Sequence, residues 1–319
     1  MIFEYSAGAF IYRNEEGRRL FLVLTKTNGE KDLAKGHIEK DETAEQAADR
    51  EIFEETGIKP RFASGFNIST AYIFMKGGER IHKGVKFFIA RADSDKVAIS
   101  KEHVGYEWLS YDEMFEKVRY KDLRGIMPRV NAYIDRMESM DALNVEYGRL
   151  PKKTDGWGLS GAHVPGEGRL DAEVMLIGQA PGQKEDASGR PFVGMSGKLL
   201  DHLLRKNGIK RSDVYITSIV QFFPPKNRAP NRQEIALCKP FLLRQIGIIK
   251  PKYVVLMGNV PSGGILGISR VESHHGRIVE KDGIKYMITI HPAAAVRIKK
   301  KLPIIEADFE RLGKLLKKD

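Results

Sequence analysis

A chain of 319 residues is long enough for about two domains, and a hydrophobic share of 42% with a charged share of 30% excludes a low-complexity chain. One Cys excludes an internal disulfide and any multi-Cys zinc or iron–sulfur site, and suits a reducing, cytoplasmic compartment. The net charge of +11 is unevenly divided: residues 1–148 hold 23 Lys and Arg against 26 Asp and Glu, whereas residues 149–319 hold 30 against 16.

Two domains with different partners are therefore expected, the basic one suited to a polyanion. Lysine-rich stretches such as Lys299–Lys301 and Lys314–Lys318 read equally well as solvated surface. No apolar run reaches the roughly 18 residues of a membrane span, and MIFEYSAGAF lacks the basic leader and apolar core of a secretory signal. No membrane partner is expected.

In chain order, Tyr5–Arg13, Leu20–Lys26 and Gly84–Ala92 are rich in β-branched and aromatic residues, with breakers such as Asn14–Gly17 and Gly77–Gly78 between them. Strands are predicted there. Apolar spacing predicts helices over Thr43–Thr56, Tyr111–Val118 and Arg124–Met137. Gly148–Gly168 collects Gly, Pro, Lys and Ser without periodicity. An irregular linking segment is expected over 141–163, between domains at 1–140 and 164–319. Beyond it, Glu173–Ile177, Val214–Val220 and Tyr253–Met257 read as buried strands, alternating with helices over Ser196–Lys206, Asn231–Ile249 and near the C-terminus. Such alternation predicts an α/β domain with a central parallel sheet covered on both faces.

The most specific feature of the first half is Gly36-x5-Glu42-x7-Arg50-Glu51-Ile52-x-Glu54-Glu55-x-Gly57-Ile58. Glu51, Glu54 and Glu55 fall at i, i+3 and i+4 and share one helix face. Like charges so placed repel, and a hard divalent cation such as Mg²⁺ or Mn²⁺ removes the penalty while bridging phosphates. Arg50 can hold a carboxylate through a bidentate pair. A solvated acidic face is the plain alternative, but every fixed position of the 23-residue pattern is occupied.

This segment resembles the Nudix box. The resemblance extends over about residues 1–137 and implies a Nudix α/β/α sandwich with a mixed sheet, hydrolysing a nucleoside diphosphate linked to another moiety. It implies Glu51, Glu54 and Glu55 as metal ligands and catalytic groups, with the Gly36 carbonyl as a further ligand. Lys35-Gly36-His37, and Glu102-His103 before Tyr106–Leu109, are similar to asymmetric diadenosine tetraphosphate hydrolases. That likeness implies Lys83 and His103 as polyphosphate contacts and Tyr72 as an aromatic residue near the nucleotide. Ala34 departs from the Pro usual there, and another nucleotide, such as a modified nucleoside triphosphate, stays open as substrate.

In the second half Gly178-Gln179-Ala180-Pro181-Gly182 follows a predicted strand and leads through Glu185-Asp186 to Gly189-Arg190-Pro191-Phe192-Val193-Gly194. A Gly/Pro loop at the carboxyl end of a parallel strand is where α/β sheets place ligands. Phe192 reads as a stacking platform for a base or as core. His291-Pro292-Ala293-Ala294-Ala295 ends the run Tyr286–Ile290. Taken alone, a single His-Pro of this kind is more often structural.

Together with Val164-Pro165-Gly166-Glu167-Gly168, Pro224-Pro225-Lys226-Asn227-Arg228 and Cys238-Lys239-Pro240-Phe241-Leu242, these segments resemble family 4 uracil-DNA glycosylases over about residues 148–319. The resemblance implies a three-layer α/β domain that binds DNA, flips out uracil and hydrolyses its N-glycosidic bond. It implies that Phe192 stacks on the base, His291 stabilises charge on the carbonyl oxygen, and about Ala295–Arg297 enters the minor groove. Three departures stand out. Gln179 replaces a Glu, and an amide cannot take a proton from water at neutral pH. Ser218 replaces the Asn that reads the polar edge of uracil. Of four cluster-ligating Cys only Cys238 remains, with Phe222 at a second ligand position and none at Pro151–Thr154, so no iron–sulfur cluster is expected. Glu185 or Asp186 is expected to stand in as the water-orienting carboxylate. The alternative is that only the first half catalyses and the second binds DNA or has altered specificity.

Overall fold

The computed structural model describes residues 2–150 and 160–317. Pro151–Thr154, and the rest of 151–159, lie outside the described residues. Two compact units divide the chain, Met1–Asp135 and Arg136–Asp319.

The first unit runs β1 (Ile2–Glu15), β2 (Arg18–Lys26), β3 (Lys31–Asp32), β4 (Lys35–His37), α1 (Ala44–Thr56), β5 (Arg61–Phe62), β6 (Ile68–Lys76), β7 (Glu79–Arg91), β8 (His103–Leu109), α2 (Tyr111–Lys117) and the start of α3 (Lys121–Gly148). Its eight-stranded sheet is mixed: β1 pairs parallel to β7 but antiparallel to β2 and β4. Ser6–Tyr12 are buried without interruption. A strand buried on alternate residues in both directions is covered on both faces. On one face Ala7, Ala9 and Ile11 meet Ala47, Ala48 and Ile52 of α1. Helix α1 starts on a capping box between Thr43 and Gln46 and stops at Gly57, whose φ of 68° suits a left-handed cap.

The second unit continues with β9 (Ser160–His163), β10 (Glu167–Gly168), β11 (Val174–Gly178), α4 (Gln183–Ser188), α5 (Met195–Lys206), β12 (Tyr215–Ser218) and β13 (Phe222–Phe223). It is completed by α6 (Arg232–Ile249), β14 (Tyr253–Met257), α7 (Asn259–Leu266), β15 (Ile278–Lys281), β16 (Ile284–Thr289), α8 (Pro292–Arg297) and α9 (Leu302–Leu316). Strands β12, β11, β14 and β16 are parallel, with β10 and β15 antiparallel at the edges. Met175 and Ile177 pack with Leu242 and Ile246 of α6, whereas Val174 and Leu176 pack with α5 and α9. Alternation along one strand thus builds both core layers.

The expected irregular segment at 141–163 is corrected in its first part: α3 continues to Gly148. Met140, Leu143 and Tyr147 recur at helical spacing and are buried in the core of the second unit. The unit boundary falls inside this helix, after Asp135. Among the described residues, no helix is long and apolar enough to cross a membrane.

Candidate active sites

Gly36, Glu51, Glu55, Tyr72, Lys83 and His103, drawn from five elements, line one cavity of about 650 Å³ in the first unit. Gly36 is where it is for want of a side chain: a Cβ there would overlap the Glu51 carboxylate. Glu55 Oε2 accepts the Lys35 N–H at 3.1 Å. Burial, only partly offset by Lys35, raises the Glu55 pKa to about 7. Lys83 is the cross-strand partner of both Glu4 and Tyr72, and Glu4 also contacts His37 at 3.0 Å. His103 is buried and near Ser100 at 3.3 Å, and burial lowers its pKa.

Two expected members stand apart. Glu54 is 58% exposed and touches Arg50 at 3.4 Å rather than lining the cavity. Arg50 does not reach the cavity either. It forms a bidentate pair with Glu42 at 3.0 Å, and bonds Glu51 at 2.8 Å and the His37 carbonyl at 2.9 Å. Its donors therefore fix the loop before α1 instead of a substrate. Among the described residues no three His, Cys, Asp or Glu side chains converge closely enough to hold a metal ion as they stand. Like charges on one helix face separate, and Arg50 draws Glu54 outward.

The reading of the sequence missed Asp32 and Lys26. Asp32 is 1% exposed, yet pairs with both Lys26 and Lys35. Burial opposes its charge, but Lys35 and Lys26 hold its pKa below the usual value. A lone Asp beside a turn carries no sequence signal of burial; only sheet register supplies it.

In the second unit Gln179, Glu185, Phe192, Ser218 and His291 all line a cavity of about 470 Å³. Phe192 has φ 52°, and its ring stacks on His291 at an interplanar angle of 27° with centroids 5.9 Å apart. A Cβ at Gly178 would stand 2.5 Å from that ring, so the glycine admits it to the strand end. The turn carrying Phe192 is gripped from two sides. Arg211 donates to the Pro191 carbonyl at 2.8 Å, and Glu185 accepts from the N–H groups of Val193 and Gly194 at 3.0 and 2.8 Å.

His291 caps α8, its Nδ1 accepting the Ala293 N–H at 3.1 Å. Nδ1 is therefore unprotonated and the ring proton sits on Nε2. Burial, reinforced by Arg297, lowers its pKa to about 4, so the ring is neutral at pH 7. Glu185 also accepts the Gly182 N–H at 3.1 Å, and Asp186 accepts that of Ala162 at 3.0 Å. Both carboxylates offered for orienting water are thus engaged with backbone. Ala295 is 4% exposed, which leaves Val296 and Arg297 at the surface expected to meet a groove.

The pattern of the uracil DNA glycosylase superfamily matches residues 165–315, and that of the NUDIX domain residues 3–130. Over 158 residues the chain is 39% identical to a type-4 uracil-DNA glycosylase of Pyrobaculum aerophilum, which covers 46% of this chain and 78% of that protein. The chain belongs to the uracil-DNA glycosylase superfamily and carries a Nudix domain. A type-4 uracil-DNA glycosylase of Thermotoga maritima is likewise 39% identical over 163 residues, 49% of this chain and 84% of that protein. The crystal structure of a C. elegans Ap4A hydrolase binary complex is 25% identical with a TM-score of 0.38, covering 41% of this chain and 98% of that one.

In the glycosylase domain, Cys238 is fully buried and burial pushes its thiol up to about 11. Tyr147 stands beside it, stacked on Phe241 at 4.4 Å and edge-on to Phe222 at 5.5 Å. A cubane cluster needs four thiolates. The aromatic packing and the single Cys do not fit that group.

Proposed function

We propose that the Nudix domain hydrolyses a nucleoside polyphosphate, most readily a dinucleoside tetraphosphate, and that the glycosylase domain excises a base extruded from DNA. The observation that carries the first reading is the cavity itself: the carboxylates of Glu51, Glu55 and Glu102 line it together with Lys26, Lys35, Lys83 and His103. Glu51, Glu54 and Glu55 with the Gly36 carbonyl would hold Mg²⁺ or Mn²⁺, which supplies charge neutralisation for the phosphates and a stronger nucleophile. Glu51 is already seated against Gly36. Glu54 is exposed and loosely bound, so its turn inward breaks only a weak contact. Glu55, a half-buried carboxylate that lines the cavity and accepts the Lys35 N–H, is the group we assign to take the proton of the attacking water. Lys83 and His103 hold the phosphate chain, and Tyr72 flanks the nucleoside. Purified protein should release nucleotide from diadenosine tetraphosphate only with a divalent cation. Turnover that persists in EDTA, or in Glu55→Gln with Mg²⁺ present, would overturn the reading.

In the glycosylase domain Phe192 would stack on the base while neutral His291 donates its Nε2–H to a carbonyl oxygen gaining charge. Ser218 offers one hydroxyl to the polar edge of the base, and Gln179 can hold a water by hydrogen bonds. A second reading is base recognition in DNA without excision. It is favoured by Glu185 and Asp186 being engaged with backbone. Uracil release by wild type but not by His291→Ala supports excision; equal background release from both supports recognition alone.

A further inference from the structure

We propose that Asp32 is a positioning residue of the Nudix cleft, and that Lys26, which it holds, binds the phosphate chain of the substrate beside Lys35. This rests on the polyphosphate reading above but assigns two residues outside it. Asp32 sits on the two-residue strand β3, opposite Leu24 of β2. That register brings it under Lys26, at the end of β2, whose cross-strand partner on β8 is His103. One carboxylate oxygen takes both ammonium groups, while the other accepts the Leu33 N–H at 2.8 Å.

Both lysines line the polyphosphate cavity. Lys26 is also fixed from the side by Tyr120, its ammonium 5.4 Å from the ring centroid. Tyr120 is itself held, its hydroxyl donating to Glu30 at 2.7 Å. Two flexible side chains are thus ordered before any anion arrives, which lowers the entropy lost on binding.

Stability alone does not explain such an arrangement. A buried carboxylate carries a desolvation penalty that ion pairing seldom exceeds by much. Here one negative charge serves two positive ones, so the trio presents net positive charge to the cavity. Glu51, Glu55 and Glu102 line the same cavity, and a divalent cation held by the glutamates would leave the lysines to an anionic ligand. Phosphate oxygens are the anions this cleft is otherwise built for.

The test compares wild type, Asp32→Asn, Lys26→Met and the double variant in the full chain, by diadenosine tetraphosphate turnover and by calorimetric binding of inorganic tripolyphosphate. Loss of a charge-assisted contact is expected to raise KM and the tripolyphosphate Kd about tenfold in either single variant, with kcat within about twofold. The double variant should be no worse than the worse single one, because Asp32 acts through Lys26. Asp32 keeps only Lys35 in Lys26→Met, so a melt checks that this variant is folded; unchanged KM and Kd in the folded variant would overturn the assignment. Strictly additive losses would overturn the positioning role of Asp32. If wild type turns over no nucleoside polyphosphate yet binds tripolyphosphate through Lys26, the functional reading fails and this one stands. If diadenosine tetraphosphate is turned over but tripolyphosphate does not bind and KM is unchanged in both single variants, the functional reading stands and this one fails.

Discussion

In the Nudix cleft the carboxylates of Glu51 and Glu55 line the cavity, and in the glycosylase cleft Glu185 lines its cavity too, but its carboxylate accepts three backbone N–H groups. The first cleft leaves Glu54, which we propose as a metal ligand, exposed on Arg50. The second uses its carboxylates to shape a turn and presents a neutral imidazole and amide to the ligand. On the function proposed above, acidic residues near a site serve chemistry in one domain and geometry in the other. Sequence proximity does not distinguish the two.

Stability should separate them most strongly. Glu185→Ala removes three hydrogen bonds to a half-buried acceptor, each contributing on the order of 1 kcal/mol net, so a loss of about 3 kcal/mol is expected in the glycosylase unit. Glu55→Gln should behave oppositely. Its pKa is raised on folding, so the folded state favours the neutral form and stability is lost as pH rises from the ordinary carboxylate value of 4.5 through about 7. The neutral amide therefore leaves the protein no less stable at pH 8, while hydrolysis is lost. Calorimetric melts of both variants at pH 8 check this; comparable losses in the two would erase the distinction.

The pH dependence of the glycosylase unit gives a smaller effect of defined sign. The pKa of His291 falls from 6.5 to about 4 on folding, so its contribution is fully present above pH 6.5 and is lost as pH falls toward 4. At pH 5 the loss is about 2 kcal/mol relative to pH 7.5. His291→Asn, which does not titrate, should flatten that part of the profile. A wild-type melting curve no steeper than the variant's between pH 7.5 and 5 would show that the ring is not held neutral.

Much of both clefts was legible because their signals are local. The i, i+3, i+4 carboxylates, the capping Thr43 and the loop after Ile177 need only neighbouring residues to be read. Helix α3 was read short because Gly148 and the prolines beyond it look like a linker. The signal that extends it, Met140, Leu143 and Tyr147 at helical spacing, becomes decisive only once a second core is there to bury them. Asp32 and Arg211 were missed for a different reason. Their partners lie on other strands and turns, and nothing short of the sheet register or the fold of the Phe192 turn brings them together. Glu185 and Asp186 were identified as acidic residues of the cleft, but their donors come from backbone, which has no sequence signature.

Glu54 offers the finest test of the contrast between charge kept available and charge used to hold the fold. Its contact with Arg50 is 3.4 Å long and its side chain is 58% exposed. An exposed pair of this kind contributes little, and Glu54→Gln should change stability by no more than about 0.5 kcal/mol. The same substitution should weaken Mg²⁺ binding by at least about tenfold, since even outer groups around a metal commonly matter that much. Melts with and without Mg²⁺ read both quantities on one sample. Wild type should gain stability from the ion at concentrations where the variant gains none. A variant already destabilised without Mg²⁺ would place Glu54 with Glu185, as a residue whose charge holds the fold; an unaltered response to Mg²⁺ would leave Glu51, Glu55 and the Gly36 carbonyl as the whole of the metal site.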